Sequence, residues 1–266
     1  MHYLDHHARK GTAYLHPGGA GGTECMIHEL DLKPGMKILE IGCGTGASSV
    51  RIAKHFQVQY TAADISESML SSARQRATME GCQHKIAFVK LLRDGKLPFA
   101  DHSFDVVFAE SVLGIMDETL LPVLLKEISR VLTPTGMFAS NDAIWKDQVS
   151  EHDIKKINAA CLHDFGIIQS LSSPANLQQW QTTFTEAGFF VKKIIEVPPV
   201  KSLKNKQYNG FFQYYKKLMR GINIIACFRE FRYNKALKNN HQHDYAYLSS
   251  YIFVLQNHKG SSGRLV

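Results

Sequence analysis

Three glycines at alternate positions, Gly42, Gly44 and Gly46, are the strongest chemical signal in this sequence. They follow an apolar run, 36–41, typical of a buried parallel strand, and the segment 47–56 after them has helical apolar spacing. Glycines at such a turn let a ligand approach the backbone closely, and the start of the helix offers free N–H groups. The arrangement predicts a nucleotide-like cofactor over the turn.

Glu40, at the tip of the preceding strand, distinguishes two interpretations of this turn. Gly42, Gly44 and Ala47 also satisfy G-x-G-x-x-A, the spacing of dinucleotide sites. A carboxylate at the strand tip suits the ammonium group of a methionine moiety and fits poorly beside a pyrophosphate. We therefore expect a cofactor that carries an amino acid, and a nicotinamide oxidoreductase is disfavoured.

Strands alternate with helices along the chain and must position this turn. The predicted strands are 36–41, 58–63, 85–91, 104–109, 137–141, 189–197 and 251–256. The predicted helices include 23–30 with Thr23 as N-cap, 67–80 with Ser66 as N-cap, 119–132, and 174–187 with Gly188 as C-cap. This order predicts an α/β fold with a doubly wound, mostly parallel seven-stranded sheet.

Several motifs together resemble one protein family. Glu40 with the three glycines is similar to the first motif of class I S-adenosylmethionine (AdoMet) methyltransferases, (D/E)-x-G-x-G-x-G. Further similarities are Asp64 after the second strand, Leu97-Pro-Phe99 followed by Ser103-Phe-Asp-Val-Val107, and Glu127-Ile-Ser-Arg-Val-Leu-Thr-Pro-Thr-Gly136. The resemblance covers residues 30–197 well and 250–257 weakly. It is strongest to the small-molecule branch, which includes the ubiquinone and menaquinone C-methyltransferases.

The resemblance implies a Rossmann-like methyltransferase sheet, whose sixth and seventh strands form an antiparallel edge, together with a helical cap. It also implies AdoMet as the cofactor and S-adenosylhomocysteine (AdoHcy) as the product. The residues expected to bind the cofactor are Glu40, Gly42, Cys43, Gly44, Gly46, Asp64, Ile65, Met69, Leu92, Arg93, Asp94, Glu110 and Ser111.

Two of these expected cofactor contacts have alternative interpretations. Asp64 lies at a strand end, where a carboxylate can accept both ribose hydroxyls, and helix capping is its other interpretation. Family members often carry an acidic residue near the adenine after the third strand, but Leu92 occupies that position here. Asp94, or the backbone of Leu92 and Arg93, is expected to serve instead.

His16, Tyr14 and Glu110 are the candidate catalytic residues. His16 precedes Pro17-Gly-Gly19, a turn able to fold over the cofactor, and histidine can take a proton near neutral pH. The alternative is a ring that only packs against the loop or forms hydrogen bonds with it. Tyr14 is a candidate substrate contact. Glu110 ends the fourth strand, where a side chain faces the ligand crevice, and an ion pair to a neighbouring helix is the alternative.

Asn141, Asp142 and Trp145, after the fifth strand, are further candidates for the pocket. Trp145 is equally compatible with the core.

The net charge of +7 belongs to the C-terminal part of the chain. Residues 201–259 carry 11 Lys or Arg and 2 Asp or Glu, whereas residues 1–200 carry 19 and 22. The basic stretch interleaves with ten aromatic residues within 198–247. Such a segment can bind single-stranded nucleic acid, or it can close an apolar pocket while its lysines face water. We favour the second interpretation.

The expected organisation places a cap segment at 1–28 and a cofactor-binding core at 29–197, with 145–172 contributing to the cap. A basic aromatic cap insert follows at 198–247, then a final edge strand at 248–259. Residues 260–266 have the composition of a tag remnant. No apolar run approaches the roughly 18 residues that span a membrane. The five scattered cysteines fit a reducing compartment and argue against a zinc site, so we expect a cytoplasmic protein without a metal.

The sequence thus predicts methyl transfer from AdoMet to carbon or oxygen of a small, mostly apolar or aromatic acceptor. The basic insert favours an acceptor with a carboxylate or phosphate, and no specific nucleic acid is expected. Two alternatives stay open: an RNA or protein methyltransferase that uses the insert, and a protein of this fold that binds AdoMet without methylating.

Overall fold

The computed structural model describes residues 3–198 and 244–257. The helices are α1 (Tyr3–Lys10), α2 (Gly19–Leu30), α3 (Ala47–His55), α4 (Glu67–Met79), α5 (Leu121–Val131), α6 (Glu151–Phe165), α7 (Leu177–Glu186) and the short α8 (Asp244–Tyr247). The strands are β1 (Lys37–Ile41), β2 (Gln59–Asp64), β3 (Ile86–Lys90), β4 (Phe104–Glu110), β5 (Leu132–Trp145), β6 (Phe189–Val197) and β7 (Leu248–Asn257).

The seven strands form one mixed sheet in the order β3-β2-β1-β4-β5-β7-β6. The first five run parallel, and β7 pairs antiparallel with both β5 and β6. The doubly wound, mostly parallel seven-stranded fold is therefore confirmed. The strand order reverses between β1 and β4, and ligands of open α/β sheets bind outside the carboxyl ends of strands at such a point.

Apolar side chains on both faces of the sheet hold the helices in place. Consecutive strand residues point to opposite faces, so Ile38 packs in one cluster and Leu39 in another. The first cluster contains side chains of α2, α3 and α4, and the second contains side chains of α5 and α7. This layering fixes β1 and β4 at the centre of the domain.

Several element boundaries differ from the sequence prediction, most of all those of α2 and β5. Helix α2 begins at Gly19, because Gly18 adopts a left-handed conformation (φ 74°), so the prediction of Thr23 as N-cap was wrong. Strand β5 extends to Trp145 instead of stopping at 141, because β7 pairs with it from Met137 to Trp145. The predicted cap by Ser66 is confirmed, since its hydroxyl accepts the Met69 N–H at 3.3 Å.

Arg130, in the motif from Glu127 to Gly136, joins two parts of the fold through hydrogen bonds, and we call this set of contacts the Arg130 staple. Arg130 of α5 donates to Glu127, to Asp101 and to the carbonyl oxygens of Leu97 and Phe99, at 2.7–3.0 Å. It therefore joins the loop before β4 to α5.

The division into core and cap stays a prediction. Most of the predicted insert 198–247 lies outside the described residues, as do residues 258–266. Within 3–198 and 244–257, no helix has the length and apolar character needed to cross a bilayer.

Candidate cofactor and active site

The glycine turn after β1 has all three glycines in the left-handed region, with φ of 73°, 52° and 77°. A Cβ on Gly42 would lie 2.3 Å from Val112 Cγ2, and one on Gly46 would lie 2.8 Å from Ala73 Cβ. A Cβ on Gly44 would meet nothing within 4 Å. Packing of the protein itself therefore requires the outer two glycines, whereas Gly44 leaves its side open to a ligand.

Glu40 lies beneath this turn and is 4% exposed. Its Oε2 accepts hydrogen bonds from the Tyr60 hydroxyl at 2.7 Å and from the Ser49 hydroxyl. The pKa of Glu40 is raised to about 7, chiefly by burial and also by the carboxylates of Glu110 and Asp64, although the two hydrogen bonds act to lower it. A cation beside Glu40 would therefore stabilise a charge that the protein alone holds poorly.

Asp64, at the end of β2, accepts two backbone N–H groups. Oδ2 accepts from Gly44 at 2.8 Å, and Oδ1 accepts from Ser66 at 2.7 Å. The carboxylate thus braces both the glycine turn and the start of α4. Each oxygen retains a second lone pair, which suits a ribose hydroxyl, so its ribose role stays a prediction.

The loop after β3 presents the residues predicted at the adenine. Leu92 is 72% exposed, an unusual exposure for a large apolar side chain. Arg93 and Asp94 are also exposed, and Asp94 Oδ1 accepts the Lys96 N–H at 3.0 Å. Ile65 packs at the margin of the core, and Met69 is 1% exposed. The roles of these five residues in cofactor binding stay predictions.

Glu110, at the end of β4, is the centre of a buried polar cluster. Its Oε1 accepts the Thr23 hydroxyl at 2.9 Å, and its Oε2 accepts the Ser48 hydroxyl at 2.6 Å. His16 Nδ1 lies 3.4 Å from Oε1, and the two side chains are 6% and 5% exposed. The tertiary structure thus brings two of the candidate catalytic residues, His16 and Glu110, within 3.4 Å of each other, and the third, Tyr14, lines the same cavity.

Both ring nitrogens of His16 have neighbours within the protein. Nε2 lies 3.1 Å from Thr23 Oγ1, and Nδ1 lies 3.2 Å from Pro17 O and 3.3 Å from Asn141 Nδ2. In this arrangement the ring connects the N-terminal segment to β4 and β5. Its role as a base stays a prediction.

Tyr14 has a left-handed backbone (φ 53°), and its ring packs edge-on against His16 with centroids 5.9 Å apart. Burial raises the pKa of its hydroxyl, and a hydrogen bond with Arg51 opposes that shift. Tyr14 is therefore held beside the cluster as a neutral phenol.

The remaining candidates lie around these groups. Ser111, directly after β4, has φ 54° and donates its N–H to Asn141 O of β5 at 2.8 Å. Burial raises the pKa of the Cys43 thiol well above its usual range. Asp142 is buried, with a pKa raised to about 6, and accepts the Gly114 N–H at 3.0 Å. Trp145 is a core residue, and its Nε1 donates to Leu171 O at 2.9 Å.

A small cavity of about 50 Å³ marks the place where these groups converge. Its lining combines the glycine turn with the N-terminal segment: Thr12, Tyr14, Leu15, His16, Glu40, Gly42, Cys43, Gly44, Thr45, Ala47, Ser48 and Glu110. A larger groove of about 440 Å³, between α2 and α3, lies away from this chemistry and includes Ile27, Arg51 and Phe56.

Sequence reasoning missed Thr23 as a partner of Glu110, and it missed five residues of the cavity lining: Thr12, Leu15, Thr45, Ala47 and Ser48. Thr45 and Ser48 flank the start of α3, so their closeness to the glycine turn was a usable signal. Thr23 reaches Glu110 across 87 positions of the chain, and no local pattern indicates that contact.

The doubly wound sheet and the glycine turn at its switch point define a Rossmann-like α/β fold. A family model described as a methyltransferase domain matches residues 38–136. The chain is 32% identical over 233 residues to an uncharacterized methyltransferase of Bacillus subtilis, YodH, covering 86% of this chain and 94% of that protein. This chain belongs to the class I AdoMet-dependent methyltransferases.

Two solved structures have a similar fold. Phosphoethanolamine N-methyltransferase 2 of Haemonchus contortus, solved with phosphomonomethylethanolamine and AdoHcy, has a TM-score of 0.69 at 18% identity, covering 96% of this chain and 57% of that one. The [4+2]-cyclase SpnF has a TM-score of 0.65 at 19% identity, covering 88% and 79%. At these identities the similarity establishes the fold alone.

Proposed function

We propose that this chain transfers the methyl group of AdoMet to carbon or oxygen of a small, mostly apolar or aromatic acceptor. The observation that carries the proposal is the open side of Gly44 between two buried carboxylates, Glu40 and Glu110, at the carboxyl ends of β1 and β4. A cofactor with a cationic amino-acid end fits this charge pattern, and a pyrophosphate does not.

Each residue around the turn would contact a different part of the cofactor. Glu40 would accept the ammonium group, and Asp64 would accept the ribose hydroxyls while it keeps the glycine turn in shape. The exposed side chain of Leu92 offers an apolar surface to the adenine. When bound, AdoMet supplies a methyl group already activated by its sulfonium sulfur.

The protein's remaining task is to orient the acceptor, exclude water and accept a proton. His16 is our candidate for the proton acceptor, because its ring lines the cavity beside the glycine turn and the Glu110 carboxylate, 3.4 Å from its Nδ1, orients it there. Tyr14 would contact the acceptor from the same segment. An apolar or aromatic acceptor under the basic aromatic insert, drawn in by an anionic group, remains part of this proposal.

Calorimetry on the full chain tests the cofactor assignment. We expect AdoMet and AdoHcy to bind and NAD not to bind. Asp64→Ala should weaken AdoHcy binding by roughly 1–3 kcal/mol, as expected for lost hydrogen bonds to a charged group. Tight binding of NAD with none of AdoMet would overturn the proposal.

Turnover with an acceptor tests His16. His16→Gln should lower turnover by roughly a hundredfold or more while AdoHcy affinity holds. Normal turnover would assign His16 a structural role.

A protein that binds AdoMet without methylating is the second candidate. Its support is the fold shared with a [4+2]-cyclase, which is evidence about the fold only. Formation of AdoHcy on incubation with a small-molecule extract separates the two candidates, because only methyl transfer produces it.

A further inference from the structure

Two buried hydroxyl groups are directed at Glu40, and both reach the same one of its two carboxyl oxygens. Oε2 accepts the Tyr60 hydroxyl of β2 at 2.7 Å and also the Ser49 hydroxyl of α3. Among the residues that the structure describes, none donates a hydrogen bond to Oε1. Glu40 also lines the cavity beside the glycine turn. Oε1 is therefore the oxygen that is left for a ligand.

Neither hydroxyl is needed to fill space. Tyr60 is buried, and its ring packs edge-on against Phe108 with centroids 6.5 Å apart, as a phenylalanine ring would. Ser49 is fully buried in the first turn of α3, where alanine is the better helix former. Burying a hydroxyl costs free energy unless it forms a hydrogen bond. Burial and the Glu40 carboxylate raise the pKa of Tyr60 well above its usual range, so its hydroxyl stays a donor.

The other titratable groups that face Glu40 add no positive charge next to it. The carboxylates of Glu110, at the end of β4, and Asp64, at the end of β2, both raise its pKa. Burial keeps Cys43 of the glycine turn a neutral thiol, because it raises the pKa of that group well above its usual range. His16 is directed at Glu110, 3.4 Å from its Oε1.

The cation of the neighbouring helix α4 is also engaged elsewhere. The Arg76 guanidinium donates to the carbonyl oxygen of Thr45 at 2.9 Å. In the described part of the chain, no lysine or arginine forms an ion pair with Glu40. An ionised Glu40 is thus uncompensated until a cation reaches Oε1, which agrees with its raised pKa of about 7.

We propose that Tyr60 and Ser49 are positioning residues of the cofactor site, holding Glu40 so that an ammonium group arriving at Oε1 expels one proton from that carboxyl. In the ligand-free chain the proton lies on Oε1 while Oε2 accepts both hydroxyls. An arriving N–H needs Oε1 as an acceptor. The O–H bond therefore breaks, the proton passes to solvent, and the electron pair stays on the carboxylate. The identity of the ligand rests on the proposed function, whereas the protonation of ligand-free Glu40 does not.

Affinity for the cofactor should then rise with pH, because a proton competes with the ammonium group for Oε1. With the pKa of free Glu40 at about 7, AdoHcy affinity should rise about eightfold from pH 6 to pH 7.5. Binding should release about 0.9 proton at pH 6 and about 0.2 proton at pH 7.5. Both pH values lie below the range in which the ammonium group of a free amino acid loses its proton.

Calorimetric titration of the full chain with AdoHcy, in two buffers of different ionisation enthalpy, counts the released protons. Tyr60→Phe keeps the ring and removes a hydrogen bond that lowers the pKa of Glu40. Release at pH 7.5 should rise by about half a proton, and affinity there should fall about threefold or more. Ser49→Ala should act in the same direction. Tyr251→Phe, on β7 and outside the cavity lining, is the matched control and should change neither quantity.

Two further variants identify the group that loses the proton. Glu40→Gln should abolish the release at both pH values, whereas Glu110→Gln should retain it at pH 6. Release that persists in Glu40→Gln and disappears in Glu110→Gln would assign the proton to the pair of Glu110 and His16 and overturn the inference. Unchanged release and affinity in both Tyr60→Phe and Ser49→Ala would overturn their positioning role.

Infrared spectroscopy of the ligand-free full chain separates this inference from the proposed function. The carbonyl band of a protonated carboxyl, in the difference between wild type and Glu40→Gln, should be strong at pH 6 and weak at pH 8. If that band titrates but AdoHcy binds at neither pH, the proposed function is overturned and the protonation of Glu40 is supported. If AdoHcy binds at pH 6 without releasing a proton, the inference is overturned and the proposed function is supported.

Discussion

Glu40 is a buried carboxyl whose ionisation is coupled to folding. Its pKa is raised from 4.5 to about 7, chiefly by burial. Between these two values the folded chain holds a proton that the unfolded chain has lost, so this group's contribution to stability falls as pH rises from about 4.5 through 7. Asp142, with a pKa raised to about 6, acts in the same direction.

Glu40→Gln removes this titration while keeping an oxygen for Tyr60 and Ser49. We expect the variant to gain stability relative to wild type between pH 5 and pH 8, by roughly 1–3 kcal/mol. Urea unfolding at both pH values measures it, with the exposed Glu118→Gln as control. A difference between variant and wild type that does not change with pH would contradict the assigned cause.

The same substitution should weaken AdoMet binding, if Glu40 holds the ammonium group. If Glu40→Gln gains stability and loses AdoMet affinity, Glu40 contacts the ligand. If it gains stability and keeps its affinity, Glu40 is only a structural carboxyl.

Gly44 and Gly46 differ in the space available for a side chain: a Cβ atom would fit at Gly44 and would clash with Ala73 at Gly46. Gly44→Ala should cost about 1–2 kcal/mol for its left-handed backbone and leave the fold intact, because the new Cβ meets nothing within 4 Å. We expect AdoHcy affinity to fall by at least about tenfold.

Gly46→Ala is the matched comparison for that variant. It carries the same backbone penalty, and its Cβ would lie 2.8 Å from Ala73 Cβ, so we expect the larger loss in Tm. Calorimetry and thermal unfolding measure the pair. If Gly44→Ala and wild type bind AdoHcy with equal affinity, the cofactor does not bind on that side of the turn.

At the scale of elements, the Arg130 staple explains why two separated motifs occur together. Its guanidinium joins α5 to the loop before β4, and it holds the pKa of Glu127 at about 2. Glu127 therefore favours the folded state above its ordinary pKa of 4.5 and loses that contribution as pH falls towards 2. Glu127 and Arg130 do not line the small cavity beside the glycine turn.

Arg130→Ala should lower the free energy of unfolding by about 1–3 kcal/mol, because two carbonyl oxygens and two carboxylates lose their donor together. AdoHcy affinity should be unchanged. Lys54→Gln, which removes one exposed ion pair with Glu80, is the control and should cost about 0–1 kcal/mol. A loss of cofactor affinity in Arg130→Ala would show that the staple also shapes the site.

At the scale of the whole molecule, positive charge and the cofactor site occupy different parts of the chain. The described site is rich in carboxylates, whereas most of the basic residues of 201–259 lie outside the described residues. Charge of this kind attracts polyanions without selecting among them.

We expect weak, nonspecific RNA binding at low salt that disappears near physiological ionic strength, because binding through phosphates falls steeply with salt. No methylation of RNA is expected. Tritiated AdoMet supplied with total RNA beside a small-molecule extract measures this. Label mainly in RNA would favour the RNA methyltransferase alternative.

The sequence alone determined the order of the seven strands along the chain, the presence of five helices (α2, α3, α4, α5 and α7) and the position of the glycine turn. Apolar periodicity and glycine spacing are local properties, so a single stretch such as 36–56 carries them completely. Family motifs supplied the antiparallel edge of β6 and β7, which no local pattern contains.

The tertiary structure alone decided which side chains meet at the site. Thr23 contacts Glu110, Arg76 contacts Gly11, and Asp64 contacts the Gly44 N–H through pairings 20 to 87 residues apart. The physical reason is that such contacts depend on how helices pack on the sheet and where each strand ends. Periodicity along the chain determines which face of an element is buried, but it does not determine which distant residue that face meets.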